Sequence, residues 1–124
     1  MDRRSADPAA DLTIPPPEGG TAIVRFLALY TTPSDPVAFD RHYFEVHVPL
    51  AKRLPGLRRY TVGRNITPVR GGPAYYLVAE LDYDDMASLR ASFASAEGRA
   101  TADDVANLTA SAATSSMIFE VEDV

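Results

Sequence analysis

The chain has 124 residues, room for one domain of ordinary size. It contains no cysteine, which excludes disulfides, thiolate catalysis and cysteine-based zinc sites, and its net charge of −5 argues against general nucleic-acid binding. With 46% hydrophobic and 23% charged residues it reads as a soluble globular chain whose core is adequate but small, so that a partner covering more apolar surface would help it.

Residues 1–20 are proline-rich, poor in aliphatic side chains and closed by Gly19–Gly20. They read as an extended arm with no signal-peptide apolar segment. No run of about 18 apolar residues occurs anywhere, so no membrane span is expected and a cytoplasmic protein is the default. Thr21 to Tyr30 is the clearest strand, apolar on both faces except at Arg25. A strand of that kind is covered on both sides. Ser34 or Asp35 can cap the helix that follows, and Pro36 suits its first turn.

That helix is expected from Pro36 to Leu54, with Phe39, Tyr43, Val46, Leu50 and Leu54 on one face. On an α-helical wheel His47 falls about 80° from Phe39, at the edge of this apolar arc, and His42 falls off the other edge. Pro49 has no N–H, crowds the carbonyl of Glu45 and disfavours the α region at Val48, so the helix should kink or break just after His47. Pro55–Gly56 then stops it.

Leu57 to Asn65 and Ala74 to Asp82 read as strands, separated by a loop that ends in Gly71, Gly72 and Pro73. Asp84 opens a helix carrying Met86, Leu89 and Phe93. Ser95 and Gly98 interrupt it, and a further helical segment runs from about Ala96 to Leu108. Met117 to Val121 is the last strand, with Met117, Phe119 and Val121 on one face.

The order β-α-β-β-α-β predicts an α+β, ferredoxin-like fold, a four-stranded antiparallel sheet with helices on one face. The second sheet face would then be apolar and bare, which soluble monomers rarely tolerate over a large area. A homodimer packed sheet to sheet is therefore expected.

Glu45–Val46–His47–Val48–Pro49–Leu50 followed by Leu54–Pro55–Gly56–Leu57–Arg58–Arg59–Tyr60, with Phe93 to Arg99 and Asn107 further on, resembles the EthD family of the dimeric α+β barrel superfamily. The likeness covers residues 21–124, the expected domain after the arm. It implies a dimeric α+β barrel. Relatives in that superfamily include cyclases, isomerases, decarboxylases and cofactor-free monooxygenases acting on small aromatic or polyketide-like molecules. The family is named for ether-degradation gene clusters, which does not define a reaction.

His47 is the candidate catalytic acid or base, because imidazole exchanges protons near neutral pH. Tyr30, Tyr43, Tyr60, Tyr76 and Phe119 are the candidate substrate-binding residues around it. The competing reading is that His47 bonds a backbone carbonyl and the tyrosines are plain core. His42 reads as a surface residue, and two histidines five apart do not share an α-helical face, so no metal site is expected. Asp84–Asp85 read as caps and Asp103–Asp104 as a solvated turn. Arg25 needs a partner, and Glu80 on the neighbouring strand is the expected one. No phosphate-binding or dinucleotide loop is present, and no cofactor is expected. Three readings stay open: a cofactor-free lyase, isomerase or cyclase using His47 on an aromatic or polyketide-like substrate, a non-catalytic ligand-binding or accessory protein of an oxidative degradation or biosynthetic pathway, or a purely structural dimer with no cavity.

Overall fold

The computed structural model describes residues 23–124. The arm expected over residues 1–20 lies outside them, as does the beginning of the first expected strand. Four strands, β1 (Ile23–Tyr30), β2 (Arg59–Gly63), β3 (Leu77–Tyr83) and β4 (Thr114–Val121), form one antiparallel sheet in the order β2-β3-β1-β4. Helical elements α1 (Pro36–His42), a π-helical segment (Tyr43–His47) and α2 (Val48–Ala51) join β1 to β2. Helices α3 (Met86–Ala94) and α4 (Ala96–Thr109) join β3 to β4. This is the ferredoxin-like arrangement that the sequence predicts, with β1 and β3 central.

The pleat decides which side chains meet the helices. Val24, Ala28 and Tyr30 of β1 are buried beside Tyr83, Ala79 and Leu77 of β3, their register partners. Phe39, Tyr43, Leu54, Leu89 and Leu108 from the helical layer complete that core. Fully burying one such large side chain contributes roughly 1.5–3 kcal/mol. The other sheet face carries Ile23, Leu27 and Leu29, with Met117, Phe119 and Val121 alongside in register. Met117 is 48% exposed and Phe119 36% exposed, so this row is open to solvent in the single chain.

On that open face Arg25 meets Asp82 rather than Glu80 as its main partner. Arg25 Nε and Nη2 donate to the two carboxylate oxygens of Asp82 at 2.7 and 3.0 Å, while Glu80 stands 3.8 Å away. The antiparallel register explains the correction: Arg25 lies directly opposite Asp82, and Glu80 lies opposite Leu27.

The helix termini follow their sequence signals. Asp35 caps α1 by accepting from the Ala38 amide at 3.1 Å, and Asp85 caps α3 by accepting from Ser88 at 2.7 Å. Asp84 instead pairs with Arg58 on the surface at 3.4 Å. Ser95 ends α3 and caps α4 through the Gly98 amide at 3.0 Å. A side chain at Gly98 would place its Cβ under 3.0 Å from the carbonyl oxygens of Ser92 and Phe93, so only glycine allows this tight corner. Gly56 turns the chain toward β2 with φ of 78°, a conformation open to glycine at little cost.

The expected break after His47 does not occur. Val48 keeps α-helical angles, φ −58° and ψ −48°, and its amide bonds back five residues to the Tyr43 carbonyl. Pro49 then falls in the first turn of α2, directly after the π segment. A widened π turn has absorbed the proline by inserting one residue into the helix. Among the described residues, no helix is long and apolar enough to cross a membrane.

Candidate active site

The π segment sets the position of the site. Its hydrogen bonds span five residues, so side chains five apart come onto one side, as those four apart do in an α-helix. His42 and His47 therefore point together toward α4, contrary to the α-helical wheel. There, Asp104 receives both: His42 Nε2 lies 2.8 Å from Asp104 Oδ1, and His47 Nδ1 lies 2.9 Å from Oδ2. Asn107, one turn on, donates to Oδ1 at 2.9 Å.

Two expectations are corrected here. Asp104 belongs to a buried helix face, 7% exposed, and not to a solvated turn. His42 is not a free surface side chain; it keeps one edge toward solvent and spends its Nε2 on the carboxylate. Burial pushes the His47 ring below the usual histidine range, and the hydrogen bond to Asp104 only partly opposes this. Burial alone would raise Asp104, but the bonds from Asn107, His42 and His47 outweigh it and hold the carboxyl below its ordinary value. At neutral pH the geometry thus favours an ionised Asp104 accepting from Nδ1–H of a neutral His47. This leaves Nε2 as the ring nitrogen not committed to Asp104.

His47 forms part of the wall of a cavity of about 290 Å³ between the helical layer and the sheet. Phe26 and Tyr30 of β1, Tyr60 of β2, Leu81 of β3 and Thr114 of β4 line the sheet side. Tyr43, Phe93 and Val105 line the helical side. Most of this surface is apolar. Tyr43 stacks on Phe39 with ring centres 5.9 Å apart and lies 5.3 Å from the His47 ring, so the aromatic row fixes the imidazole plane. The Tyr43 and Tyr60 hydroxyls share a 2.6 Å hydrogen bond. Burial raises the pKa of Tyr30, Tyr43 and Tyr60, so all three stay protonated at neutral pH.

Four of the six expected site residues therefore meet at one cavity: His47, Tyr30, Tyr43 and Tyr60. Tyr76 and Phe119 do not line it. Tyr76 packs edge-on against Phe39 and donates to Asp40 at 2.9 Å, and Phe119 stands on the open sheet face opposite Arg25. Asp104 is the group that sequence reasoning missed. Its signal was an acid four residues before Leu108, on the stripe that α4 buries. Among the described residues, no group of three or more histidine and acidic side chains is placed to hold a metal ion.

The model of the EthD domain matches residues 32–112. An uncharacterized 11.0 kDa protein of the thcB-thcC intergenic region of Rhodococcus erythropolis is 36% identical over 99 residues, 80% of this chain and 94% of that protein. The crystal structure of an ethyl tert-butyl ether degradation (EthD) family protein from Bacillus halodurans overlaps with a TM-score of 0.70 at 37% identity, covering 80% of this chain and 98% of the other. A hydroxynitrile lyase from Passiflora edulis shares the fold alone, with a TM-score of 0.66 at 13% identity over 84% of this chain and 97% of its own. By its sequence and its fold together, this chain belongs to the EthD family.

Proposed function

We propose that this chain binds a small, mainly apolar molecule in the cavity and moves a proton on it with His47, as a cofactor-free lyase or isomerase. The observation that carries the reading is a buried imidazole in the wall of an apolar cavity, backed at Nδ1 by a carboxylate. In that arrangement Nε2 takes a proton from a hydroxyl or an activated carbon of the ligand. Asp104 orients the ring and stabilises the imidazolium that forms. The same proton then returns to the departing or rearranged group, so no oxidant or reductant is consumed. Tyr30, Tyr43 and Tyr60 pack the ligand, and the Tyr30 hydroxyl together with whichever of Tyr43 and Tyr60 accepts in their shared hydrogen bond can donate to a developing oxyanion. The hydroxynitrile lyase of the same fold supports a lyase on such a scaffold, as analogy.

The bare row of Ile23, Met117 and Phe119 supports a homodimer closed sheet to sheet, which would remove that apolar surface from water. Analytical ultracentrifugation at micromolar concentration should give twice the 13.4 kDa chain mass. A sedimenting monomer would refute this part.

The catalytic reading is tested by hydrogen–deuterium exchange at the activated carbon of small aryl ketones, followed by NMR. The wild type should accelerate exchange, and His47→Ala should lose about 10²–10⁴-fold. A His47→Ala protein with an undiminished rate would sink it.

A further inference from the structure

His42 is the member of the buried cluster that the proposed chemistry leaves unused. We propose that it is a positioning residue of the site, whose own charge sets how far Asp104 can support a proton on His47. This role rests on His47 acting as the base, as argued above.

The placement of His42 is specific. A regular α-helix would turn it away from α4, and the π segment brings it onto the side where Asp104 stands. Such π turns are rare and collect at functional sites. Each oxygen of Asp104 already has a donor without His42: Asn107 donates to Oδ1 at 2.9 Å, and His47 Nδ1 lies 2.9 Å from Oδ2. His42 adds a second partner to Oδ1 at 2.8 Å.

What an imidazole brings there, and an amide does not, is a charge that changes near neutrality. An ionised carboxylate only accepts, so Nε2 of His42 carries its proton whether the ring is neutral or cationic. A further proton therefore goes to Nδ1 and leaves the 2.8 Å contact in place. The His42 side chain is 30% exposed against 7% for His47, so water solvates a cation better on the first ring. Once His42 is cationic, Asp104 is neutralised, and a second cation on His47 would leave these three groups with a net positive charge. That state is disfavoured. A charged His42 thus makes His47 a weaker base. Burial is the larger cause of the low His47 value, and the charge of His42 pushes in the same direction.

The surrounding elements leave this balance to the three groups. Helix α2 packs on the π segment and has no ionisable side chain. Tyr43 beside His47, with Tyr30 and Tyr60 of the cavity wall, stays neutral because burial raises all three. The charged neighbours in sequence, Arg41, Glu45 and Asp103, are exposed, where water and salt screen them.

A nitrogen-15 NMR titration of the full chain, without ligand, tests the proposal. In the wild type the His47 nitrogens should change in two steps, a small one as His42 gains its proton and a large one as His47 gains its own. His42→Gln keeps an N–H for Oδ1 and carries no charge. It should leave a single step, with a midpoint about half a pH unit or more above that of the wild type. An unchanged midpoint in His42→Gln would reduce His42 to a hydrogen-bond donor and overturn the proposal. Should that variant fail to fold, the wild-type curve alone decides, and a single step there overturns it. The titration does not depend on turnover, so its failure would leave His47 standing as the base. Undiminished exchange by His47→Ala would instead end the catalytic reading and leave the coupling of the two rings in place.

Discussion

Two of the described aspartates are buried, and they are held in opposite ways. Asp82, 5% exposed on the open sheet face, grips the guanidinium of Arg25 with both oxygens. Asp104, 7% exposed beneath the helices, holds two imidazoles. Arginine stays charged at any working pH, so the first pair is a fixed fastening across two strands. Histidine changes its charge near neutrality, so the second cluster can accept and release a proton. The same side chain thus serves cohesion in one place and proton chemistry in the other, and the partner decides which.

Removing the fastening should have the largest effect on stability. Asp82→Ala leaves Arg25 with only the more distant Glu80 and should cost about 2–3 kcal/mol in urea denaturation, somewhat below a fully buried pair because Arg25 keeps partial contact with water. Adding Arg25→Met should recover most of that loss. Asp104→Asn should cost less, about 1–2 kcal/mol, since an amide still fills the space and can make some of the same hydrogen bonds. Its sharper signature is electrostatic. The carboxylate props up the His47 pKa against burial, so its removal should lower that pKa further in an NMR titration.

The comparison also predicts a pH dependence. The unfolded His47 ring takes up its proton near 6.5, and the folded ring does so only at lower pH. Between those values the unfolded chain binds more protons, so stability falls as the solution is acidified through that window. The slope from one such group is at most about 1.4 kcal/mol per pH unit, and His47→Gln should flatten it. Asp104 acts in the same direction at lower pH, because its folded value lies below its ordinary 3.8. The smallest effect belongs to Glu80→Gln, under about 0.5 kcal/mol, since that carboxylate is partly exposed and stands 3.8 Å from Arg25.

Much of the fold was legible from local patterns. The apolar runs Thr21 to Tyr30 and Ala74 to Asp82 pointed to the central strands, observed as Ile23–Tyr30 and Leu77–Tyr83, and Asp35 and Ser95 marked helix starts. The family pattern around His47 and Pro49 lies on the helical element that borders the cavity. What failed was the assumption of an α-helical period. A wheel of 3.6 residues separates His42 from His47, and the π turn that tolerates Pro49 brings them together. A proline inside an apolar stripe, with histidines five apart before it, is the sequence trace of that turn. Asp104 was misread for a related reason, because a charged residue beside another aspartate looks solvated until its place on the buried stripe of α4 is counted. Register was the third gap. Strand alternation could not choose between Glu80 and Asp82 for Arg25, or say that Phe119 faces away from the cavity. Those choices depend on how β1 pairs with its neighbours.

The most direct test of the account is nitrogen-15 NMR of the His47 ring between about pH 4 and 8, which reads both tautomer and pKa. A neutral ring with its proton on Nδ1, a bare Nε2 and a pKa below 6.5 is the predicted result. A proton resident on Nε2, or a ring that titrates above 6.5, would contradict it.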